Sequence, residues 1–283
     1  PTRRSSDLPA LLLLGTYLFY PLFETFRLSF YDATGEVFVG LTNYQWVFAD
    51  QNFFITIRNN FLWLLVVPAT ATAFGLVVAV LADRVWWGGF AKSMVFMPMA
   101  ISFVGASVIW KFVYDFRGPE ADQIGILNAI VMGMGFQPQA WVTIPFWNNF
   151  FLMAILIWIQ TGFAMVILSA ALRGVPNETI EAARIDGASP LKIFLRVIVP
   201  QVRGTIMAVF ITTVIGVMKV FDVILAMTGG NFNTSVLGYE YYRLFFVESN
   251  VGGSAAVVTV LCIIIAPLMW LQIRTARHQE EIR

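Results

Sequence analysis

The chain has 283 residues, of which 58% are hydrophobic and 12% charged, and its net charge is +1. A soluble domain carries roughly 25% charged residues, so this composition predicts that a lipid bilayer covers much of the surface. The single cysteine, Cys262, excludes a disulfide framework and a Cys-rich metal site, and the single histidine, His278, in the polar tail argues against histidine-based catalysis. Residues 1–7 differ in composition from the rest of the chain and are expected to be a truncated or non-native N-terminus.

Six apolar stretches reach the length of about 20 residues that a membrane-spanning helix requires. In chain order they run near Leu8–Phe30, Asn59–Ala82, Phe90–Tyr114, Asn149–Leu172, Thr205–Met227 and Ala255–Ile273. The sequence therefore predicts an all-α, polytopic membrane protein with six transmembrane helices. Residues 8–273 are expected to form one transmembrane domain, with a long loop at 173–200, and residues 274–283 a cytoplasmic tail.

The loops differ in their content of basic residues. When the N-terminus is placed in the cytoplasm, most of the 18 Lys and Arg residues fall on the inner side, and the outer loops carry mainly acidic residues. This distribution follows the positive-inside rule. Both termini are therefore expected in the cytoplasm, and the loop at 173–200 on the cytoplasmic side.

The 173–200 loop carries the signals of two short helices. Asn177 is a good N-cap, and Gly187 is a natural C-terminal stop. Ser189 can cap a second helix that has Pro190 at its first position, and Pro200 is expected to break the chain before the fifth span. The loop is thus predicted to be a helix, a glycine bend and a second helix.

This helical hairpin has small residues around its bend and apolar residues beside them. Large apolar side chains occur at Ile180, Ile185, Leu191, Phe194 and Leu195. Small residues allow another backbone to approach closely, and apolar anchors are typical of a helix that docks into a groove on a partner protein. The alternative is an amphipathic hairpin that lies on the membrane surface.

A sequence motif in the same loop closely resembles the EAA loop of binding-protein-dependent ABC importer permeases. In the sugar branch of that family the extended motif reads EAA-x-x-DGA, and residues 181–188 match it in full. Val197 and Val199 stand where the family usually has Ile and Leu, which are conservative differences. The residues that carry the resemblance are Glu181, Ala182, Ala183, Asp186, Gly187, Ala188 and Pro200.

The resemblance extends over nearly the whole chain, and it is strongest to the maltose/glycerol-phosphate/multiple-sugar group, with an alpha-glucoside permease as one candidate. It implies a type I ABC importer permease in the cytoplasmic membrane of a bacterium or archaeon. The implied partners are a second homologous permease subunit, a cytoplasmic ATPase dimer, an extracytoplasmic solute-binding protein and a sugar cargo. The motif residues would then form the coupling helix, with Gly187 at the bend and Glu181 in a polar contact with the ATPase.

The sequence contains no G-x-x-x-x-G-K-[ST] phosphate-binding loop. No cofactor is therefore expected on this chain, which would be a transport subunit rather than an enzyme. By the resemblance, ATP and Mg would bind to the partner ATPase.

Polar residues inside the predicted spans are candidates for contact with cargo, because such residues are costly in a bilayer and are commonly functional. The candidates are Asn59, Asn60, Trp158, Gln160, Lys219 and Asp222. Amides and an aromatic ring suit a neutral sugar. Lys219 and Asp222 are three residues apart and are expected on one helix face, where a purely structural ion pair is the alternative to a cargo site.

Three other functions compete with an ATP-driven importer. A secondary transporter driven by an ion gradient typically has internal repeats and acidic residues at mid-membrane depth, but the sequence shows no repeat. An intramembrane enzyme is disfavoured because no span has a Ser/His pair or an H-E-x-x-H helix. A scaffold or insertion protein is compatible with the hairpin, but the match over residues 181–188 favours the importer.

Overall fold

The computed structural model describes residues 8–118 and 120–280. The predicted non-native segment 1–7 and the last three residues of the predicted tail lie outside this range. The described residues form α-helices joined by turns and longer loops and contain no β-strand, only an isolated bridge between Tyr31 and Phe38. The all-α prediction is confirmed.

Fourteen α-helices are present in the described chain. They are α1 Leu8–Leu14, α2 Tyr20–Leu28, α3 Thr42–Ala49, α4 Gln51–Ala82, α5 Gly88–Phe96, α6 Phe103–Val113, α7 Ile126–Gly133, α8 Trp147–Arg173, α9 Asn177–Ile185, α10 Pro190–Ile193, α11 Val199–Met218, α12 Asp222–Met227, α13 Leu237–Tyr242 and α14 Val251–Glu280. The described chain also has three π-helical segments. Gly15–Phe19 connects α1 to α2, Phe194–Ile198 connects α10 to α11, and Arg243–Val247 follows α13.

The helices belong to two compact units. The first consists of Pro1–Arg58 and Ser235–Leu271, and the second of Asn59–Thr234 and Gln272–Arg283. Within the first unit, Val47, Phe53 and Leu244 are buried in one apolar cluster. Within the second unit, residues of α4, α8 and α11 form another, which includes Ala79, Met165 and Val209.

The helices of the described chain reproduce the predicted spans in part. Three are long and apolar enough to cross a membrane, namely Gln51–Ala82, Trp147–Arg173 and the continuous helix Pro190–Met218. Gly88–Ala100 and Phe103–Val113, which meet at 109°, count as a fourth if they form one bent span. The remaining two predicted stretches are also helical, but the count of six spans stays a prediction.

Two expectations for the fifth span are wrong. Pro200 does not break the chain, because the helix runs from Pro190 through the π-helical segment to Met218. A local π turn can accommodate the backbone hydrogen bond that proline cannot make. At the other end the helix stops at Lys219, Phe221 leaves the helical region with φ −151°, and a new helix starts at Asp222. Lys219 and Asp222 therefore do not share a helix face.

Candidate functional site

The hairpin predicted in the 173–200 loop is present. Helix α9 ends at Ile185. The backbone N–H groups of Asp186, Gly187 and Ala188 each donate a hydrogen bond to a carbonyl oxygen of the last turn, with a donor–acceptor distance of 3.0 Å. Gly187 has φ +76°, a conformation that favours glycine. The helix begins one residue earlier than expected, because Pro176 rather than Asn177 occupies the N-cap position. Ser189 caps α10 as predicted, by accepting a hydrogen bond from Lys192 N.

The large apolar side chains at the tip of the hairpin are not buried by their own unit. Ile185 is 86% exposed, Leu191 66% and Leu195 55%. A Cβ atom added at Gly187 would have nothing within 4 Å. Of the other motif residues, Glu181, Ala182, Asp186 and Pro200 are exposed, and Ala183 and Ala188 are half-buried. The hairpin is therefore held at its base, where Val175 and Ile193 are buried, and leaves its tip open to a partner.

An ionic cluster that the sequence reasoning missed joins the ends of three helices near the base of the hairpin. Lys92 Nζ donates to Asp83 Oδ1 at 2.7 Å and to the hydroxyl of Ser169, which in turn donates to Asp83 Oδ2 at 3.1 Å. Arg173 donates to Asp83 Oδ1 at 3.3 Å. Burial raises the pKa of Asp83, but the hydrogen bonds and positive charges of this cluster outweigh it and hold that pKa below its usual value. The sequence signal that could have indicated this cluster is the presence of charged residues close to the ends of the predicted spans.

A cavity of about 440 Å³ lies at the bend between the two halves of the third predicted span. Its polar lining comes from Ser102, Gln160 and Asp222, and its apolar lining from Met99, Ile101, Phe103, Val104 and Ile159. Gln160 and Asp222 were both predicted as cargo residues, and the structure brings them to one site although 62 positions separate them in the sequence. An amide and a carboxylate can together donate to and accept from hydroxyl groups.

The other predicted cargo residues do not line this cavity. Lys219 is exposed, and no ion pair joins it to Asp222 in the part of the chain that the structure describes. Asn59 and Asn60 are buried, and Asn59 Nδ2 donates to the backbone carbonyl of Asn233 at 2.8 Å. Contact of these three residues with cargo stays a prediction.

Trp158 belongs to a row of aromatic side chains on α6 and α8. Its ring centroid is 5.9 Å from that of Trp110, which is 5.1 Å from that of Tyr114. The Tyr114 hydroxyl donates to the carbonyl of Phe151 at 2.9 Å. The sequence reasoning found Trp158 but not this row, because its members are far apart in the chain. Among the described residues, no group of three or more His, Cys, Asp or Glu side chains could hold a metal ion.

The chain is similar to known membrane transport proteins. Residues 45–278 match the family described as the binding-protein-dependent transport system inner membrane component. The chain belongs to this family. The predicted resemblance to binding-protein-dependent importer permeases is thereby confirmed, and the protein is a multi-pass membrane component of an importer. The role of residues 181–188 as a coupling loop stays a prediction.

Curated relatives match over nearly the whole chain. The alpha-glucoside transport system permease protein AglF of Rhizobium meliloti (strain 1021) is 56% identical over 96% of this chain and 81% of its own length. The osmoprotective compounds uptake permease protein GgtC of Synechocystis sp. (strain ATCC 27184 / PCC 6803 / Kazusa) is 49% identical over 97% of this chain and 99% of its own.

A solved structure shows the same fold. A chain from the crystal structure of a bacterial ABC transporter involved in the import of the acidic polysaccharide alginate superposes with a TM-score of 0.81. The match covers 97% of this chain and 94% of that chain, at 18% sequence identity. It supports the importer-permease fold, and at this identity it carries no information on cargo.

Proposed function

We propose that this chain forms half of the translocation pore of an ATP-driven, binding-protein-dependent sugar importer and couples that pore to a separate ATPase. The observation that carries the proposal is the hairpin at 177–193, which combines the EAA motif with an apolar tip left open by its own unit. The name of the 56% identical relative, an alpha-glucoside transport permease, favours a sugar cargo.

The hairpin is suited to dock into a groove of a cytoplasmic ATPase subunit. Ile185 and Leu191 would supply apolar anchors, since a few anchors in desolvated pockets account for most of the binding energy of an interface. Gly187, with free space around it, would let the partner backbone approach closely. Glu181 is exposed on α9, the helix that carries Ile185, and would make a polar contact at the edge of the interface with the ATPase.

The helix after the hairpin would carry its displacement toward the cargo cavity. Pro190–Met218 is continuous over 29 residues, which corresponds to roughly 43 Å at 1.5 Å per residue. Three residues separate its end from Asp222, which lines the cavity. Closure of an ATP-bound ATPase dimer would move the hairpin and this helix together, and the pore would switch between inward-facing and outward-facing states by rigid-body motion.

Cargo would contact the polar side of the cavity. Its volume lies within the roughly 300–1,000 Å³ of small-molecule sites. Gln160 can donate and accept hydrogen bonds, and Asp222 can accept two from neighbouring sugar hydroxyls. Trp158, Asn60 and Lys219 are kept as candidates for other stages of the route, whereas the amide of Asn59 is engaged by the backbone of Asn233.

The functional assembly would contain four kinds of partner. They are a second homologous permease, an ATPase dimer that binds ATP and Mg, an extracytoplasmic solute-binding protein, and the sugar or oligosaccharide. The chain would lie in the cytoplasmic membrane of a bacterium or archaeon with both termini inside, as the distribution of Lys and Arg indicates.

Co-purification from native cells tests the proposal. The tagged chain would be solubilised in a mild detergent, and co-purifying chains identified by mass spectrometry. We expect a second permease, an ATPase with a phosphate-binding loop and a solute-binding protein. A chain that is recovered alone and transports in liposomes without ATP would overturn the proposal and favour the ion-gradient-driven transporter.

A further inference from the structure

The loop between Thr228 and Thr234 has an unusual backbone. Gly229 and Gly230 have φ of 57° and 71°, and they are followed by Phe232 at 57° and Asn233 at 61°. For glycine this conformation is ordinary, but for a bulky residue such as Phe232 it is a true outlier. Strained residues persist only where surrounding structure fixes them, and they cluster at functional sites.

Three buried asparagines fix this loop from outside. Asn59 Nδ2 donates to the carbonyl of Asn233 at 2.8 Å, and Asn148 Nδ2 donates to the carbonyl of Phe232 at 2.7 Å. Asn149 Nδ2 donates to the side chain of Asn148 at 3.2 Å. All three side chains are at most 1% exposed. We refer to Asn59, Asn148 and Asn149 as the asparagine clamp.

The loop is also closed by its own side chains. The hydroxyls of Thr228 and Thr234 lie 2.6 Å apart, and Thr234 Oγ1 donates to the carbonyl of Asn231, also at 2.6 Å. Asn231 Nδ2 donates to the carbonyl of Thr228 at 2.8 Å. Both strained carbonyls therefore receive a donor from the clamp, and the ends of the loop are bonded to each other. Together these hydrogen bonds hold the loop in the observed conformation.

The fixed loop is joined directly to helix α12. The N–H groups of Thr228 and Gly229 both donate to the carbonyl of Ile224, at 3.1 and 2.9 Å. Helix α12 has only six residues, and a helix so short is not stable without external support. It packs against α6 and α8, with Ile224 buried, and its first residue is Asp222, which lines the cavity.

We infer that the asparagine clamp positions the Asp222 carboxylate in the cargo cavity, by holding the 228–234 loop and, through it, helix α12. This inference rests on the proposed function, because it treats the cavity as the cargo site. Asn59, Asn148 and Asn149 are then positioning residues that recognise no cargo themselves. The cargo class that benefits is a neutral polyhydroxyl compound, whose hydroxyls donate to a carboxylate held in one place.

A double-mutant cycle tests this inference. The complete transporter would be reconstituted in proteoliposomes with its solute-binding protein, and the KM and maximal rate of ATP-dependent uptake measured with radiolabelled maltose. Asn148→Ala removes one donor of the clamp, and Asp222→Asn removes the carboxylate charge. We expect each single variant to raise KM about tenfold, and the double variant to resemble Asp222→Asn alone, since coupled sites are not additive.

A matched control separates positioning from a loss of stability. Asn128 is equally buried, and its amide holds another loop by donating to the carbonyls of Asp115 and Gln139 at 2.9 and 3.1 Å. Asn128→Ala therefore removes the same chemistry away from α12, and we expect its KM to equal that of the wild type. A second change, Phe232→Gly, removes the strain that the clamp holds, and we expect it to restore the KM of Asn148→Ala to within about threefold.

Each outcome decides the question. An unchanged KM in Asn148→Ala, or effects that add fully with those of Asp222→Asn, would overturn the inference. If Asn148→Ala does not assemble, Asn233→Val raises the strain from an exposed side chain without removing a clamp amide, and it should raise KM in the same direction. An unchanged KM in that variant would also refute the positioning role. If the wild type took up neither maltose nor any other radiolabelled sugar in an ATP-dependent manner, the proposed function itself would be refuted.

Discussion

Two glycines of the second unit have opposite surroundings. At Gly75 in α4, a Cβ atom would lie 2.4 Å from Ala164 Cβ and 2.8 Å from Met165 N of α8, so the two helices already fill the space. At Gly187 in the hairpin, a Cβ would meet nothing within 4 Å, and the residue is exposed. The same residue type serves close packing in one place and borders open space in the other.

The neighbouring side chains show the same contrast. Around Gly75, the apolar residues Ala164, Met165 and Leu168 are fully buried. Beside Gly187, Ile185 is exposed over 86% of its surface. A folded chain seldom leaves its largest apolar residues grouped and exposed unless another molecule covers them. The contrast thus separates residues that stabilise this chain by packing from residues that its own packing leaves exposed, and the proposed coupling role can be tested on the second group.

The largest effect is expected for Gly187→Asp. The chain should fold and insert, because the position is open, but the new side chain would fill the space that a partner backbone needs. We expect a fall in ATP-driven uptake of about 30-fold or more, the scale of losing one interface hot spot. Uptake and ATP hydrolysis would be measured together in proteoliposomes.

The control for this change is Gly135→Asp. Gly135 also has positive φ, at 85°, and open space around it, but it lies in another loop. The Gly135→Asp change adds the same charge and a similar backbone strain outside the hairpin, so uptake by this variant should match that of the wild type. Normal uptake by Gly187→Asp would count heavily against a coupling hairpin.

Gly75→Ala should lower the free energy of unfolding by about 1–3 kcal/mol, the usual cost of overpacking a filled interface. Gly89→Ala makes the same change in α5, where nothing lies within 4 Å, and should gain up to about 1 kcal/mol from helix propensity. Thermal unfolding of the two purified variants in detergent measures the difference. Equal shifts in Tm would mean that α4 and α8 do not pack closely at this glycine.

Ile185→Ser should weaken binding to the ATPase by roughly 1 kcal/mol, about fivefold, through loss of an apolar anchor. Stability of the isolated chain should stay within about 0.5 kcal/mol, because the side chain is exposed. Affinity for the purified ATPase subunit would be compared with that of Ile124→Ser, which truncates an exposed isoleucine outside the hairpin. Identical affinities for the two variants would exclude Ile185 from the interface.

The smallest effect is expected for Asp83→Asn, which removes the charge shared by Lys92 and Arg173. Arg173 is largely exposed, so the loss of stability should be below about 1 kcal/mol. Because the pKa of Asp83 is held low, its contribution is present at neutral pH and disappears as the pH falls through that lowered pKa. The difference in Tm from the wild type should therefore shrink in acid. Asp115, which is about as exposed as Asp83 but among the described residues pairs only with the exposed Arg117, provides the control, and Asp115→Asn should change Tm less.

The sequence was sufficient to predict the hairpin, because its signals are local. The positive φ of Gly187 and the cap at Ser189 depend on residues within one turn, and both are present. The break at Lys219–Phe221 was missed because the apolar run continues through it, and hydropathy alone does not show where Phe221 leaves the helical region. The helical period of 3.6 residues led to the prediction that Lys219 and Asp222 share one helix face, whereas Lys219 follows the end of α11 and Asp222 begins α12.

The cavity was predicted in part, and the clamp was missed. Gln160 and Asp222 could be selected because polar groups in apolar spans are unusual, but their meeting at one site depends on the bend of the third span. Asn59 was found by the same signal, and its observed acceptor, the Asn233 carbonyl, is 174 positions away. No local pattern distinguishes an amide that faces cargo from one that holds a distant backbone.

The π-helical segment Phe194–Ile198 has a geometric consequence for the hairpin. A π turn is equivalent to one residue added to an α-helix, and each residue of an α-helix turns the chain by about 100°. The hairpin is therefore rotated by about 100° around the axis of α11, relative to where an uninterrupted α-helix would direct it. The direction in which the hairpin points around this axis is set by the number of residues between Ile193 and Val199. Removing one residue there would redirect the tip of the hairpin without altering any residue of the EAA motif.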